Sequence, residues 1–292
     1  MNVAPLEVLD TWSDWGSLGD SWATAPREPG LYRLRRDDFD GVDYIGQTGA
    51  GIRRRLSHLR GAFSAEMPYS DPHTAGPGIW ALRQGHGGDF LASSAPTSAD
   101  TPVRRALECV AISLYRQETR ESPTLNFGRI PAGYTKSSGN SARLVASGKR
   151  FRGGAFSSER FIPDQSAPPT GDIFSDPLAA DWQRHEWAPW TDVEEAIRII
   201  GSAIGLYRIK RKDSQALVYV GQGLILQRLR AHVAKGLVMG HRQQPSFASS
   251  ALECSCVVMG SASHRHLLEW ENDLIAGHTL VHRAPPEAQF LG

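Results

Sequence analysis

Gly30–His58 reads GLYRLRRDDFDGVDYIGQTGAGIRRRLSH, and Gly205–His232 reads GLYRIKRKDSQALVYVGQGLILQRLRAH. The spacing from Tyr32 to Tyr207 is 175 residues, that from Tyr44 to Tyr219 is again 175, and that from His58 to His232 is 174. Near-constant offsets across aromatic, basic and imidazole positions indicate an internal duplication. Each copy has about 90–100 residues, the size of one small domain.

Each stretch begins as two strands. Gly30–Leu34 and Val42–Gly46 flank the turn signal Asp40-Gly41, and Leu206–Lys210 and Leu217–Gly221 flank RKDSQ. Both hairpins end in Gly-Gln, and a glycine then breaks the strand ahead of a helix. That helix carries Arg54 and His58 in copy one, and Arg228 and His232 in copy two. A spacing of four places each pair on one helical face.

Copy one continues with a loop over Pro68–Gly78, a short helix around Ile79–Gln84 and the strand DFLASSAP. TPVRRALECVAISLYRQ follows as a helix, with Val103, Ala106, Leu107, Val110, Ala111 and Leu114 at helical spacing. In copy two ALECSCVVM and SHRHLLEWENDLIAGH take the same places. The Leu-Glu pairs near the two helix starts align Glu108 with Glu269. The copies then run to Pro123–Gly128, with Asn126, and to Pro286–Gly292, with Gln289.

The 292 residues carry a net charge of +1, so total charge neither demands nor excludes a polyanion, and distribution matters more. Met1–Pro29 holds five acids against one base, and Arg129–Gln165 holds seven bases against two acids. The basic stretch reads either as a solvated linker or as a phosphate-tracking loop. In the second reading Lys136, Arg143, Lys149, Arg150 and Arg152 bind a nucleic-acid backbone, with Tyr134, Phe151 and Phe156 interleaved. Trp182, Trp187 and Trp190 suggest an interdomain packing surface, and Thr191 with Glu194 a capping box. Cys254 and Cys256 are too close for a C-x2-C zinc loop, so reduced thiols are expected. No apolar run is long enough to span a bilayer and the start lacks a signal-peptide pattern, which gives a cytoplasmic expectation and no membrane partner.

The ordered set Gly30-Leu31-Tyr32, Tyr44-Ile45-Gly46, Arg54, His58, Glu108, Asn126 resembles the GIY-YIG nuclease pattern. So does Gly205-Leu206-Tyr207, Tyr219-Val220-Gly221, Arg228, His232, Glu269. The resemblance covers roughly two-thirds of the chain. It implies an α/β (α+β) fold of two domains, each a small three-stranded antiparallel sheet flanked by helices. The boundaries are an N-terminal arm at 1–25, domain one at 26–130, a connecting segment at 131–190 and domain two at 191–292. It also implies one Mg²⁺ or Mn²⁺ ion per site, held by Glu108 or Glu269, and phosphodiester hydrolysis. Tyr44 and Tyr219 would orient or deprotonate water, with Tyr32 and Tyr207 in support. Arg54 and Arg228 would neutralise charge, His58 and His232 would carry protons, and Asn126 would brace the site. Gln289, longer by a methylene, would weaken copy two.

These expectations make the chain a DNA endonuclease acting as a monomeric pseudodimer, cutting both strands in a restriction or defence setting. A second reading is a nicking or structure-specific repair nuclease in which domain two only holds DNA. A third is a non-nuclease, either a nucleic-acid binder or a small-substrate enzyme, reusing the fold.

Overall fold

A computed structural model describes residues 4–70, 75–139, 141–160, 165–248 and 251–291. In chain order the elements are β1 (Gly16–Ser17), β2 (Gly30–Arg36), β3 (Tyr44–Thr48), α1 (Ile52–Leu59), α2 (Ala75–His86), β4 (Phe90–Pro96), α3 (Thr101–Thr119) and α4 (Ala142–Ala146). They continue as β5 (Thr191–Asp192), α5 (Val193–Ile199), β6 (Ile204–Arg211), β7 (Leu217–Leu224), α6 (Ile225–Leu237), α7 (Gln244–Phe247), β8 (Leu252–Val258) and α8 (His264–His282). The fold is mixed α/β with two antiparallel four-stranded sheets, ordered β1-β4-β2-β3 and β5-β8-β6-β7. No helix among the described residues is long and apolar enough to cross a membrane.

The expected three strands become four because the segment before each copy supplies a short edge strand. β1 pairs with β4 and β5 with β8, through two residues each. Gly16–Ser17 of the N-terminal arm therefore belongs to the first sheet. Its Trp12 and Trp15 lie over the Arg33 guanidinium at 4.7 and 4.6 Å, and Arg33 Nε donates to Ser93 Oγ. Trp187 and Trp190 hold Arg208 in the same way at 4.3 and 4.6 Å, and Arg208 donates to Ser255 Oγ and Pro177 O. The offset between these tryptophans is again 175, so the duplication starts upstream of the first hairpin. Trp182 and Trp187 are buried core residues rather than an interdomain surface. Asp192, not Thr191, caps α5, accepting from the Glu194 and Glu195 N–H groups.

The chain divides into two compact units. The N-terminal unit comprises Glu7–Ser98 and Ser122–Gln165, and the C-terminal unit comprises Met1–Leu6, Ala99–Glu121 and Ser166–Gly292. The division departs from the expected boundaries: the arm is split at Leu6/Glu7 and the connecting segment at Gln165/Ser166, and α3, from copy one, belongs to the C-terminal unit, where it packs along α8. Both helices have 19 residues and parallel punctuation. Asp100 accepts from Val103 N, Ser263 accepts from His266 N, and Arg120 and Arg283 end the helices at φ 64° and 55°. Between them, buried Arg116 is paired with Asp273 at 3.1 Å, and Asp273 also accepts from Ser113 Oγ. A buried charge is tolerable only when paired and hydrogen-bonded in this way.

In the N-terminal unit the core gathers Leu34, Ile52, Leu56, Ile79 and Phe90 around Tyr32. The basic segment is not a free linker within that unit. Ser137 Oγ donates to Pro68 O, Ser138 and Phe151 exchange hydrogen bonds, and Arg150 and Arg152 stack on Tyr69 at 3.6 and 4.4 Å. The loop read over Pro68–Gly78 gives way to α2 at Ala75, while Asp71–Thr74 lie outside the described residues. Pro77 is tolerated in the first turn of α2, where its missing N–H has no helical acceptor to lose.

Candidate active site

Strand alternation decides which side chains face the hairpin helix. Tyr207 and Ile209 project to the face covered by α6, whereas Leu206 and Val220 project to the core containing Leu274 and Ile275 of α8. The same register sets Tyr32 opposite Gly46 and Tyr207 opposite Gly221. A Cβ on Gly46 would stand 2.7 Å from the Tyr32 phenol oxygen, so the glycine is what lets each phenol lie across the neighbouring strand.

In copy two these positions close into a cluster. Tyr207 and Tyr219 stack with ring centroids 6.1 Å apart, and the Tyr219 ring lies 4.4 Å from His232. The Tyr207 phenol oxygen and His232 Nε2 share a 2.9 Å hydrogen bond, and Phe247 closes the far side of the imidazole at 4.5 Å. Burial, helped by the Lys235 and Arg228 charges, pulls His232 down to about 3, so the imidazole is neutral at physiological pH. Burial and the adjoining Tyr219 raise Tyr207 well above the ordinary phenol range, and burial and Glu271 push Tyr219 up to about 12. The exposed Arg228 opposes both shifts.

Glu271, not Glu269, is the carboxylate whose charge acts on these two phenols. Glu269 is fully buried elsewhere on α8, where it accepts from Ala167 N at 2.6 Å and lies 3.6 Å from Arg116. The Leu-Glu match was two residues out of register. Counted from the helix caps, Glu108 and Glu271 hold the same position, 163 residues apart like Asp100 and Ser263. Burial pushes the Glu271 carboxyl up to about 7, with Arg228 pulling the other way. Among the described residues no three His, Cys, Asp or Glu side chains gather into a metal-ligand group. A single half-buried carboxylate still suits Mg²⁺ or Mn²⁺, which retain waters and need few protein ligands.

Copy one differs at the helix. Two extra residues precede α1, so Ile52, Leu56 and Leu59 occupy the buried places held by Ile225, Leu229 and His232. Leu59 thus replaces the imidazole, and Arg54 and His58 point outward as exposed residues. The guanidinium near the first phenol is that of Arg55, 5.9 Å from the Tyr32 ring. Tyr32 and Tyr44 keep their pairing at 5.9 Å. Glu108 stands on α3, in the C-terminal unit, where burial above all, and then its charge and that of Glu271, raise the Cys109 thiol.

Asn126 braces β3. Its Oδ1 accepts from Ile45 N at 2.9 Å and its Nδ2 donates to Ile45 O at 2.8 Å. Gln289 keeps the first of these bonds, accepting from Val220 N at 3.2 Å. The longer amide therefore still reaches the second strand. The five basic residues singled out between the copies, Lys136, Arg143, Lys149, Arg150 and Arg152, are all exposed, though Arg152 is engaged by Glu66 and Met67 O. The structure thus draws Tyr207, Tyr219, Arg228, His232 and Glu271 together within one unit. In the other unit it draws together Tyr32, Tyr44, Arg55 and Asn126. No family model, curated protein or solved structure matches the chain.

Proposed function

We propose that the chain is a divalent-metal-dependent DNA endonuclease whose principal catalytic centre is the copy-two cluster. The supporting observation is the convergence of two phenols, an imidazole and a guanidinium in the C-terminal unit, with the half-buried carboxyl of Glu271 near enough for its charge to act on both phenols. Glu271 would hold Mg²⁺ or Mn²⁺, and a bound divalent ion supplies Lewis acidity toward a phosphodiester oxygen. Arg228, exposed beside the phenols, meets the incoming phosphate and offsets charge that develops on its oxygens. Tyr219 orients the attacking water. The Tyr207–His232 bond fixes the first phenol, and the neutral imidazole adds no charge that would repel Arg228.

Loss of the imidazole from copy one favours nicking over paired cleavage, with the copies' roles exchanged relative to the sequence-based reading. The test is supercoiled plasmid with Mg²⁺. Glu271→Gln should lower cleavage by about 10²-fold or more, as expected when a metal-holding or charge-stabilising group is lost. Cleavage undiminished by Glu271→Gln and abolished by Glu108→Gln would overturn the assignment. Direct linearisation without a nicked precursor would restore the paired-site reading.

A further inference from the structure

From Ile130 to Ser158 the chain contains no acidic residue and carries Lys136, Arg143, Lys149, Arg150 and Arg152. In the N-terminal unit this stretch folds back on itself as an arm. Ser138 N donates to Phe151 O at 2.9 Å and Ser157 N donates to Gly133 O at 2.7 Å, so the two sides of the arm run antiparallel. They lie close, because a Cβ on Gly153 would strike both Thr135 O and the Met67 sulfur. Ser137 Oγ and Arg152 Nη1 fasten the arm by donating to Pro68 O and Met67 O at 2.8 and 3.0 Å. At its end Ser141 caps α4, accepting from Leu144 N, and Gly148 at φ +64° turns the chain back.

Among the described residues, Arg143, Lys149 and Arg150 are exposed and meet no carboxylate, whereas Arg152 is paired with Glu66 at 3.1 Å. Arg150 lies over the Tyr69 ring at 3.6 Å. Two rings on the same arm stand largely in solvent, Phe151 at 50% and Phe156 at 63% exposure. Phe156 is nonetheless held. Tyr134 meets it edge-on at 5.8 Å, and Trp80, a core residue of the unit, meets Tyr134 edge-on at 5.8 Å. Gly133, at φ +87°, leaves the room this needs, since a Cβ there would strike the Phe156 ring. A ring fixed in place while most of its surface stays exposed can bind without a large ordering cost.

We infer that this arm binds single-stranded nucleic acid, with Arg143, Lys149 and Arg150 on the phosphates and Phe151 and Phe156 as stacking surfaces for bases. The inference needs the N-terminal unit alone and does not depend on the catalytic reading of copy two. Charge complementarity selects a polyanion, because three exposed cations without carboxylate partners share one acid-free stretch. The rings select a single strand. A duplex hides its base faces in its own stack, whereas a single strand presents bases and phosphates together. A membrane surface would call for a longer amphipathic helix than the five residues of α4.

The experiment uses the full chain in EDTA, so that cleavage cannot intervene. Fluorescence anisotropy follows a labelled single strand of about 20 nucleotides, and the same strand annealed to its complement. The single strand should bind tighter than the duplex by about tenfold or more. Phe151→Ala with Phe156→Ala should weaken single-strand binding by about 10²-fold, one stacked base for each ring, and leave the salt slope unchanged. Phe151→Tyr with Phe156→Tyr, which keeps both rings, should retain it. Arg143→Gln, Lys149→Gln and Arg150→Gln together should reduce the slope of log affinity against log salt by about two. Unchanged single-strand affinity in the alanine variant, or a duplex bound as tightly as the single strand, would overturn the inference. So would binding to phosphatidylserine vesicles that the alanine substitutions abolish while single-strand affinity stays the same. Plasmid cleavage in Mg²⁺ separates the two proposals. A chain that cuts but shows no ring-dependent single-strand binding refutes the arm alone. A chain that binds single strands in this way yet cuts no DNA with any divalent ion refutes the nuclease reading alone.

Discussion

The brace on the second strand shows how little separates the two copies at a single position. Asn126 satisfies both the N–H and the C=O of Ile45, whereas Gln289 satisfies the N–H of Val220. Leaving a buried backbone group unpaired costs about 1–3 kcal/mol. Asn126→Ala should therefore destabilise the protein by about 2–4 kcal/mol and Gln289→Ala by about half that, as read by urea denaturation. Equal losses would mean the amides do not carry this difference. The glutamates separate in the same experiment. Glu269→Ala should cost about 3–5 kcal/mol, because it strips a partner from the buried Arg116. Glu271→Gln should leave the unfolding midpoint nearly unchanged while lowering cleavage. Sequence spacing could not tell these carboxylates apart: both follow a helix start, and only cap-to-cap counting on the folded helices puts Glu271 level with Glu108.

At the element scale, the end of α8 is fastened by a neutral histidine. His278 Nε2 accepts from Leu217 N, so Nδ1 carries the proton and donates to Ala284 O. Protonation would set an N–H against the Leu217 N–H. Burial, with the neighbouring His282 charge, pulls His278 down to about 3, and burial pulls His185 down to about 4. Their unfolded values lie near 6.5, so the unfolded chain binds more protons between there and about pH 3. The stability these residues contribute is present above pH 6.5 and is lost as pH falls through that window. Thermal unfolding should thus occur at a lower temperature at pH 5 than at pH 7.5, and His278→Gln should reduce the difference without abolishing it, because His185 and His232 are depressed in the same way. A pH-independent midpoint would contradict the neutral-imidazole assignment. The strands and the long helices were legible because period-2 and period-3.6 patterns survive in them. The start of α2 was not, since Gly-Pro-Gly reads as a breaker until Leu125 is seen filling the space that Gly78 leaves.

At the scale of the whole molecule, the two compact units do not coincide with the two sequence copies. The C-terminal unit takes α3 from the first copy, and the Arg116–Asp273–Ser113 cluster lies between α3 and α8. A fragment of residues 191–292 lacks α3 together with Trp182 and Trp187 and so exposes Leu274 and Ile275. It should fail to give dispersed amide resonances, and a fragment that folds cooperatively would refute the shared-helix architecture. Arg208→Ala should cost about 2–4 kcal/mol, since it empties the space between Trp187 and Trp190. By itself the sequence determined that the fold is written twice, that each copy pairs two tyrosines across a hairpin, and that an asparagine or glutamine follows the last long helix. Those features depend on local period and on residues repeated at fixed distance. Tertiary structure alone decided which glutamate joins the phenols, that Leu59 stands where His232 does, and which unit α3 serves. Each of these turns on helix phase and packing, where a shift of one or two residues carries a side chain from solvent into the core.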